Sequence, residues 1–249
     1  MWVDSHNHHY LSSLSVLKRL SADGLEAVVE ASWIPVRTCV VAILGCLNWL
    51  LPEGEPQKLS KAKLKLIAVL GVPPRCLTKG IDYRSLEGWL QDDRVKALGE
   101  VGIETGSEEE VEAFSEQLRI AKRLDKPAIV HTPRNNKLEA ARLELKLIRE
   151  SGFPEEMAVI DHFNFELLKG LDKGSYFYGL SLQPGKLKVE EALSIISYLD
   201  PSRILINSDS STEESEPSWG LELLKALSEN DRELALKIGR ENAYRFYKS

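Results

Sequence analysis

The stretch from Val95 to Thr132 reads VKALGEVGIETGSEEEVEAFSEQLRIAKRLDKPAIVHT and carries the clearest pattern in the chain. It begins and ends with short runs rich in Val, Leu, Ile and Ala, which are typical of parallel strands buried on both faces. The segment between them places Val111, Phe114 and Leu118 at helical spacing, with acids in its first turn and bases in its last. The stretch therefore predicts a strand, a helix and a second strand.

The same alternation continues along the chain, which has 249 residues. Eight strand-like runs begin near Trp2, Leu25, Leu66, Val95, Pro127, Met157, Tyr176 and Arg203. Eight strands alternating with helices over this length predict an α/β fold of the (β/α)8 TIM-barrel type, and a doubly wound sheet is the alternative. Because no linker rich in Pro, Gly or Ser interrupts the chain, we expect one barrel domain over residues 1–249. The aromatic residues Tyr244, Phe246 and Tyr247 should close the barrel bottom or pack a terminal helix.

Composition excludes two classes of protein. Hydrophobic residues make up 43% of the chain and charged residues 28%, which is typical of a globular protein and not of a disordered chain. Lys and Arg number 32 against 38 Asp and Glu, for a formal charge of −6. That sign excludes a strongly basic nucleic-acid binder. A nucleic-acid substrate stays open if a bound metal or a local basic patch supplies positive charge.

The sequence predicts a cytoplasmic protein without a membrane partner. Its three cysteines, Cys39, Cys46 and Cys76, form no C-x-x-C pair, so a disulfide scaffold is not expected. The N-terminus lacks the basic and apolar regions of a signal peptide. The most apolar stretch, residues 39–51, is shorter than the roughly 20 residues that span a bilayer, and we expect a buried helix there.

All five histidines lie at or just after the carboxyl end of a predicted strand. In a barrel the carboxyl ends of the strands form the catalytic face. His6 and His8 are two residues apart on a strand, so both imidazoles point to the same side and can meet one ion. An isolated H-x-H is more often a surface cluster. Metal binding becomes the better interpretation because four further ligand-type side chains lie at strand ends: Glu100, His131, His162 and Asp209. Six candidates exceed the needs of one ion, so two ions sharing the Glu100 carboxylate are the favoured arrangement.

Five short motifs fall in order along strands one, four, five, six and eight. They are DSHNH at 4–8, GEVGIE at 99–104, HT at 131–132, DH at 161–162 and NSD at 207–209. Together they resemble the TatD-type branch of the metal-dependent amidohydrolase superfamily, including its archaeal TIM-barrel hydrolases. The resemblance implies a distorted barrel with a binuclear metal centre at its C-terminal mouth. It assigns His6, His8 and Asp209 to one ion and His131 and His162 to the other, with Glu100 bridging.

Two departures from the family pattern leave the substrate open. The family commonly has a G-x-H-P turn after the third strand, where this chain reads G71-V72-P73-P74-R75, and we expect Val72 to stand at the histidine position. Acidic residues follow Asp209 in SDSSTEESE, without the usual Ala-Pro. Those acids count mildly against a nucleic-acid substrate.

The predicted chemistry is hydrolysis by a metal-activated water, with Asp209 as general base. The favoured substrate is a phosphoester, with DNA as one candidate, and Arg134, Arg75 and Lys137 are the basic residues available to hold phosphate. We expect Asp4 and Asp161 to orient ligand imidazoles, and Glu104 to lie outside the ligand set or contact substrate. His9 should pack behind the site, because it points away from His8 on an extended chain.

Two alternatives remain from the sequence. One is an amidohydrolase-type enzyme acting on a small-molecule amide, lactone or phosphoester. The other is a metal-stabilised scaffold without turnover. Imidazole ligands favour Zn²⁺, Mn²⁺, Ni²⁺ or Fe²⁺; Zn²⁺ is our first expectation, and Mg²⁺ stays an alternative because some TatD-type enzymes use it. The sequence predicts no oligomeric state.

Overall fold

The computed structural model describes residues 1–32, 57–77, 81–210 and 217–249. Eight parallel strands form one sheet in the order β1 to β8, which is the strand order of a TIM barrel and not of a doubly wound sheet. All eight predicted strands are present. Their bounds are β1 Trp2–Asn7, β2 Leu25–Ala31, β3 Lys65–Leu70, β4 Val95–Gly102, β5 Ala128–His131, β6 Ala158–Ile160, β7 Phe177–Ser181 and β8 Ile204–Asn207.

The last strand returns to the first and nearly closes the barrel. Just beyond β8, the Asp209 amide donates to the His6 carbonyl (3.0 Å), and the His8 amide donates to the Ser210 carbonyl (2.8 Å). The Ser5 hydroxyl donates to the Ile206 carbonyl at 2.7 Å. These contacts form a seam that joins the first and last strands beside the predicted ligands.

Helices follow the strands around the outside of the barrel. Ser107 caps the longest one by accepting from the Glu110 amide, and Gly152 ends the next at a φ of 64°, which glycine adopts without strain. Helix bounds are α1 Leu14–Ala22, α2 Gln57–Lys61, α3 Tyr83–Leu90, α4 Glu108–Arg123, α5 Lys137–Ser151, α6 Phe165–Gly170, α7 Val189–Ile196, α8 Trp219–Ser228, α9 Arg232–Leu236 and α10 Asn242–Phe246, with a π-helical turn at Lys237–Glu241. The apolar stretch 39–51 lies outside the described residues.

The C-terminal segment closes the end of the barrel opposite the ligands. Phe246 and Tyr247 are buried among the inward-facing residues of the strands, and Tyr244 packs against the same cluster. Phe246 lies against Phe177, the first residue of β7, with ring centroids 4.8 Å apart. The Tyr247 hydroxyl donates to the Ser5 carbonyl at 2.7 Å. The prediction that these aromatic residues close the barrel bottom is confirmed.

Among the described residues, no helix is both long and apolar enough to cross a membrane.

Candidate metal centre

The six predicted ligands converge at the carboxyl ends of five strands. They form two groups, and within each group the candidate ligand atoms all lie within 4.8 Å of one another. The first group comes from β1 and the residues after β8, and the second group from β4, β5 and the residues after β6. The first group is His6, His8 and Asp209, and the second group is Glu100, His131 and His162.

The Glu100 carboxylate lies between the two groups. Its Oε1 contacts His131 Nδ1 and is 3.7 Å from His162 Nε2. Its Oε2 is 3.8 Å from His6 Nε2 and 4.0 Å from His8 Nε2. One oxygen therefore faces each group, and this is the arrangement that a bridging carboxylate needs.

In each histidine of the first group, Nδ1 contacts a protein oxygen and Nε2 faces the site. His8 Nδ1 is 3.0 Å from the Ala31 carbonyl, which accepts only from a protonated nitrogen, and His8 Nε2 is 3.3 Å from Asp209 Oδ1. His6 Nδ1 contacts the Asp161 carboxylate, and its buried Nε2 has no hydrogen-bond partner within the described part of the chain. A buried polar atom without a partner is rare in proteins. Imidazole nitrogens together with carboxylate oxygens fit a divalent transition metal.

Charges within the site shift several pKa values. Burial alone would lower the pKa of His6, but the adjacent Asp161 carboxylate raises it to about 9. Burial and the nearby Lys186 ammonium lower the pKa of His162 to about 4. Burial opposes ionisation of Glu100, yet the charge of His131 holds its pKa well below the usual range. His6 therefore holds a proton at neutral pH, and an ion that bound this ring would have to displace it, because ligand imidazoles are neutral.

Asp161 orients His6 from behind. One carboxylate oxygen contacts His6 Nδ1, and the other accepts from Asn207 Nδ2 at 2.8 Å. Gly179 on β7 makes room for this carboxylate, because a Cβ at that position would lie 2.1 Å from Asp161 Oδ1. This is the role that the sequence predicted for an aspartate beside the ligands.

The expectation for Asp4 needs correction. Asp4 accepts from the amide and hydroxyl of Ser208, at 2.8 and 2.5 Å, and contacts His9 Nε2 at 3.1 Å. His9 Nδ1 is also 2.9 Å from the Ser12 hydroxyl. Asp4 therefore fixes the turn after β8 and the buried His9 behind the site, and it does not orient His6 or His8 through these bonds.

Glu104 links a predicted phosphate-binding residue to a ligand. Its Oε2 is 3.1 Å from His131 Nε2, and its carboxylate accepts from Arg75 Nε and Nη2 at 3.2 and 3.1 Å. These hydrogen bonds, that from His131 first, lower the pKa of Glu104 to about 2 against the effect of burial. Arg75 is therefore paired with a carboxylate at the rim.

A cavity of about 340 Å³ opens above the two groups. Arg75, Arg134 and Lys137 all line it, as the sequence predicted for phosphate-binding residues. Their surroundings differ. Arg134 is exposed, whereas Lys137 is buried and donates to the Thr132 hydroxyl at 2.7 Å and to the Thr132 and His162 carbonyls at 3.3 Å each. Lys137 braces the segment that carries His162, which leaves Arg134 the more available cation.

Sequence reasoning missed two residues of the β7–α7 loop. Lys186 Nζ contacts the Asp209 carboxylate, and Gln183 Nε2 donates to Asp209 Oδ2 at 2.8 Å. Neither residue belongs to a spacing pattern. Their position directly after the seventh strand, at the same end as every ligand, was the signal that could have found them.

The turn after β3 also differs from the sequence expectation. Val72 is buried in the hydrophobic core, and its amide donates to Gln117 Oε1 at 2.7 Å. Counting from Gly71, the third position of the turn is Pro73, and Pro73 lines the cavity. The residue at the family's histidine position is therefore Pro73, and placing Val72 there was wrong.

The chain is similar in sequence and in fold to proteins that are already known. Residues 3–248 match the family model described as TatD related DNase. An uncharacterized metal-dependent hydrolase from Methanocaldococcus jannaschii is 29% identical over 211 residues, which cover 82% of each chain. The crystal structure of a TatD-like protein from Archaeoglobus fulgidus is 32% identical and superposes over the full length of both chains with a TM-score of 0.84. The crystal structure of the Escherichia coli phosphotriesterase homology protein, complexed with phosphate in its active site, is 13% identical to this chain. It superposes over 99% of this chain and 98% of its own length with a TM-score of 0.69, and it shares the fold.

Proposed function

This chain belongs to the family of TatD-related DNases and is a metal-dependent hydrolase, and from that premise we propose that it cleaves phosphoester bonds with two divalent ions. The observation that carries the proposal is the Glu100 carboxylate, which turns one oxygen toward each group of ligands. A carboxylate shared in this way brings two cations close enough to act on one substrate.

The first group would hold one ion and the second group the other, with Glu100 shared. When bound, the ions would lower the pKa of the attacking water and stabilise the charge that develops on the phosphoryl oxygens. Four imidazoles favour Zn²⁺ over the harder Mg²⁺. Asp161 and Glu104 would hold the His6 and His131 rings in their binding orientation.

Asp209 is the proposed proton acceptor. Burial alone would raise its pKa, but the Lys186 ammonium and a hydrogen bond from His8 hold it well below the usual range. The carboxylate is therefore ionised at neutral pH, and its side chain is 14% exposed at the floor of the cavity. A carboxylate in that position can take a proton from the attacking water.

The cavity favours an anionic substrate. Arg134 and Lys186 line it together with the paired Arg75, so cationic side chains surround the two groups of ligands. Guanidinium groups bind phosphate oxygens in a bidentate manner. A volume of about 340 Å³ suits a small phosphoester or one nucleotide unit of a single strand.

A second candidate is hydrolysis of a small-molecule amide or lactone. The observation in its favour is the apolar surface that Pro73, Pro74 and Pro184 contribute to the same cavity. Such a surface would accommodate an apolar substituent next to the ester or amide group.

The test starts from protein stripped of metal by chelation and reconstituted with Zn²⁺ or Mn²⁺. Substrates are single-stranded DNA, phosphomonoesters, phosphodiesters, lactones and amides. We expect two ions per chain and turnover of a phosphoester. Turnover of lactones or amides alone would favour the second candidate, and bound metal without any turnover would overturn both.

A pair of matched variants tests the shared carboxylate. Glu100→Gln should lose metal and turnover, because the amide cannot supply two anionic oxygens. Glu87→Gln makes the same change on the surface, where the side chain pairs with Arg123, and should retain both. Metal content is measured by elemental analysis alongside turnover. If Glu100→Gln kept two ions and full activity, the bridging role would be wrong.

A further inference from the structure

Lys186 places one ammonium group between the two groups of ligands. Its Nζ contacts the carboxylate of Asp209, which belongs to the first group. The same atom is 3.0 Å from Nδ1 and 3.2 Å from Nε2 of His162, which belongs to the second group. The lysine side chain is only 12% exposed, so its charge is directed into the site rather than into solvent.

One of these contacts involves an atom that a metal ion would need. An ammonium group has three donors and no acceptor, and this one lies close to both ring nitrogens of His162. One of them, Nε2, faces the Glu100 carboxylate and is the atom that an ion of the second group would use. Asp209 offers the ammonium Oδ2, whereas Oδ1 is the oxygen that faces His6 and His8. A divalent ion bound at His162 Nε2 would take the lone pair of that nitrogen, so the ammonium could not keep its contact there.

The loop offers Lys186 another place to go. The residue follows Pro184 and Gly185 on the rim, and the Lys186 amide is held by the Gln183 carbonyl at 3.0 Å. The flexible four-carbon side chain can swing while this turn stays in place. The cavity that it lines also contains the exposed Arg134, so a displaced ammonium would join a second cation where a substrate anion would lie.

We propose that the Lys186 ammonium competes with an ion of the second group for His162 and, once displaced from that ring, binds the anionic group of the substrate. The second half of this inference rests on the proposed function. Lys186 thus acts as a substrate-binding residue whose position depends on metal loading.

The first measurement is zinc affinity of metal-stripped protein, determined by competition with a zinc-binding dye. Lys186→Met should bind zinc roughly tenfold more tightly than the wild type, since one charge-assisted contact worth about 1.4 kcal/mol no longer has to break. Lys188→Met, on the exposed side of the same loop, is the matched control and should bind zinc as the wild type does. Equal zinc affinity in Lys186→Met and wild type would overturn the proposal.

The second measurement is binding of inorganic phosphate to zinc-loaded protein by calorimetry. Lys186→Met should bind phosphate about fivefold more weakly or worse, because one charged donor is lost, while Lys186→Arg should stay near the wild type. Unchanged phosphate affinity in Lys186→Met would overturn the substrate-binding role. Neither measurement uses turnover, so a failure of the proposed hydrolysis would be recognised separately.

Discussion

Replacing Gly179 by alanine tests how the first group of ligands is held. The new Cβ would lie 2.1 Å from Asp161 Oδ1, so the carboxylate has to move by about 1.3 Å to reach an ordinary contact of 3.4 Å. That movement breaks the contact of Asp161 with His6 and strains its bond from Asn207. Overpacking and the lost charge-assisted bond together should lower the free energy of unfolding by about 2–4 kcal/mol.

The same displacement should weaken metal binding. Loss of a group that orients a ligand imidazole typically costs about 10–100-fold in metal affinity. Urea denaturation and a zinc competition titration measure the two effects. Gly88→Ala is the control, because nothing lies within 4 Å of a Cβ there, and in α3 it should stabilise the protein by up to about 1 kcal/mol. Wild-type stability and zinc affinity in Gly179→Ala would refute the reasoning.

Three other predictions concern stability. Burial raises the pKa of Glu144 well above its usual range, so the folded protein keeps a proton that the unfolded chain releases. The free energy of unfolding should therefore fall as the pH rises above about 4.3. Urea denaturation from pH 5 to 8 should show a shallower decline in Glu144→Gln than in the wild type. Tyr247→Phe should lose about 1 kcal/mol in the same assay, with zinc affinity unchanged, because only the bond to the Ser5 carbonyl is removed. Chelation should lower the melting temperature, and zinc at 100 times its Kd should restore about 2.7 kcal/mol; a melting temperature indifferent to zinc would contradict the metal site.

The sequence contained the strands and the clustering of ligands because both depend on local patterns. Each apolar run is continuous, and each candidate ligand ends or follows such a run, so barrel topology alone brings them together. Which aspartate contacts which histidine behind the predicted ligands could not be read from local sequence. Asp4 is two residues before His6 and shares its side of the strand, yet the turn at His9–Leu11 brings His9 back to it, and Asp161 from another strand reaches His6 instead.

The two loop residues that contact Asp209 could not be predicted from the sequence for a different reason. Lys186 and Gln183 meet Asp209 only because the loops after β7 and β8 lie side by side at the barrel mouth. A lysine or glutamine in a loop is ordinarily solvated, and sequence spacing carries no information on which loops are neighbours. The turn after β3 was misplaced for a simpler reason, because the third position of G-x-H-P, counted from Gly71, is Pro73 and not Val72.

The seam between the first and last strands makes the two groups unequal during synthesis. His6 and His8 lie in and just after the first strand of the barrel, and Asp209 lies just after the last, whereas Glu100, His131 and His162 all come from the strands between. A nascent chain that has emerged only through β7 would contain every residue of the second group but would lack Asp209 of the first group. Full metal loading would therefore require that translation has passed the eighth strand and that the residues after β8 have met β1.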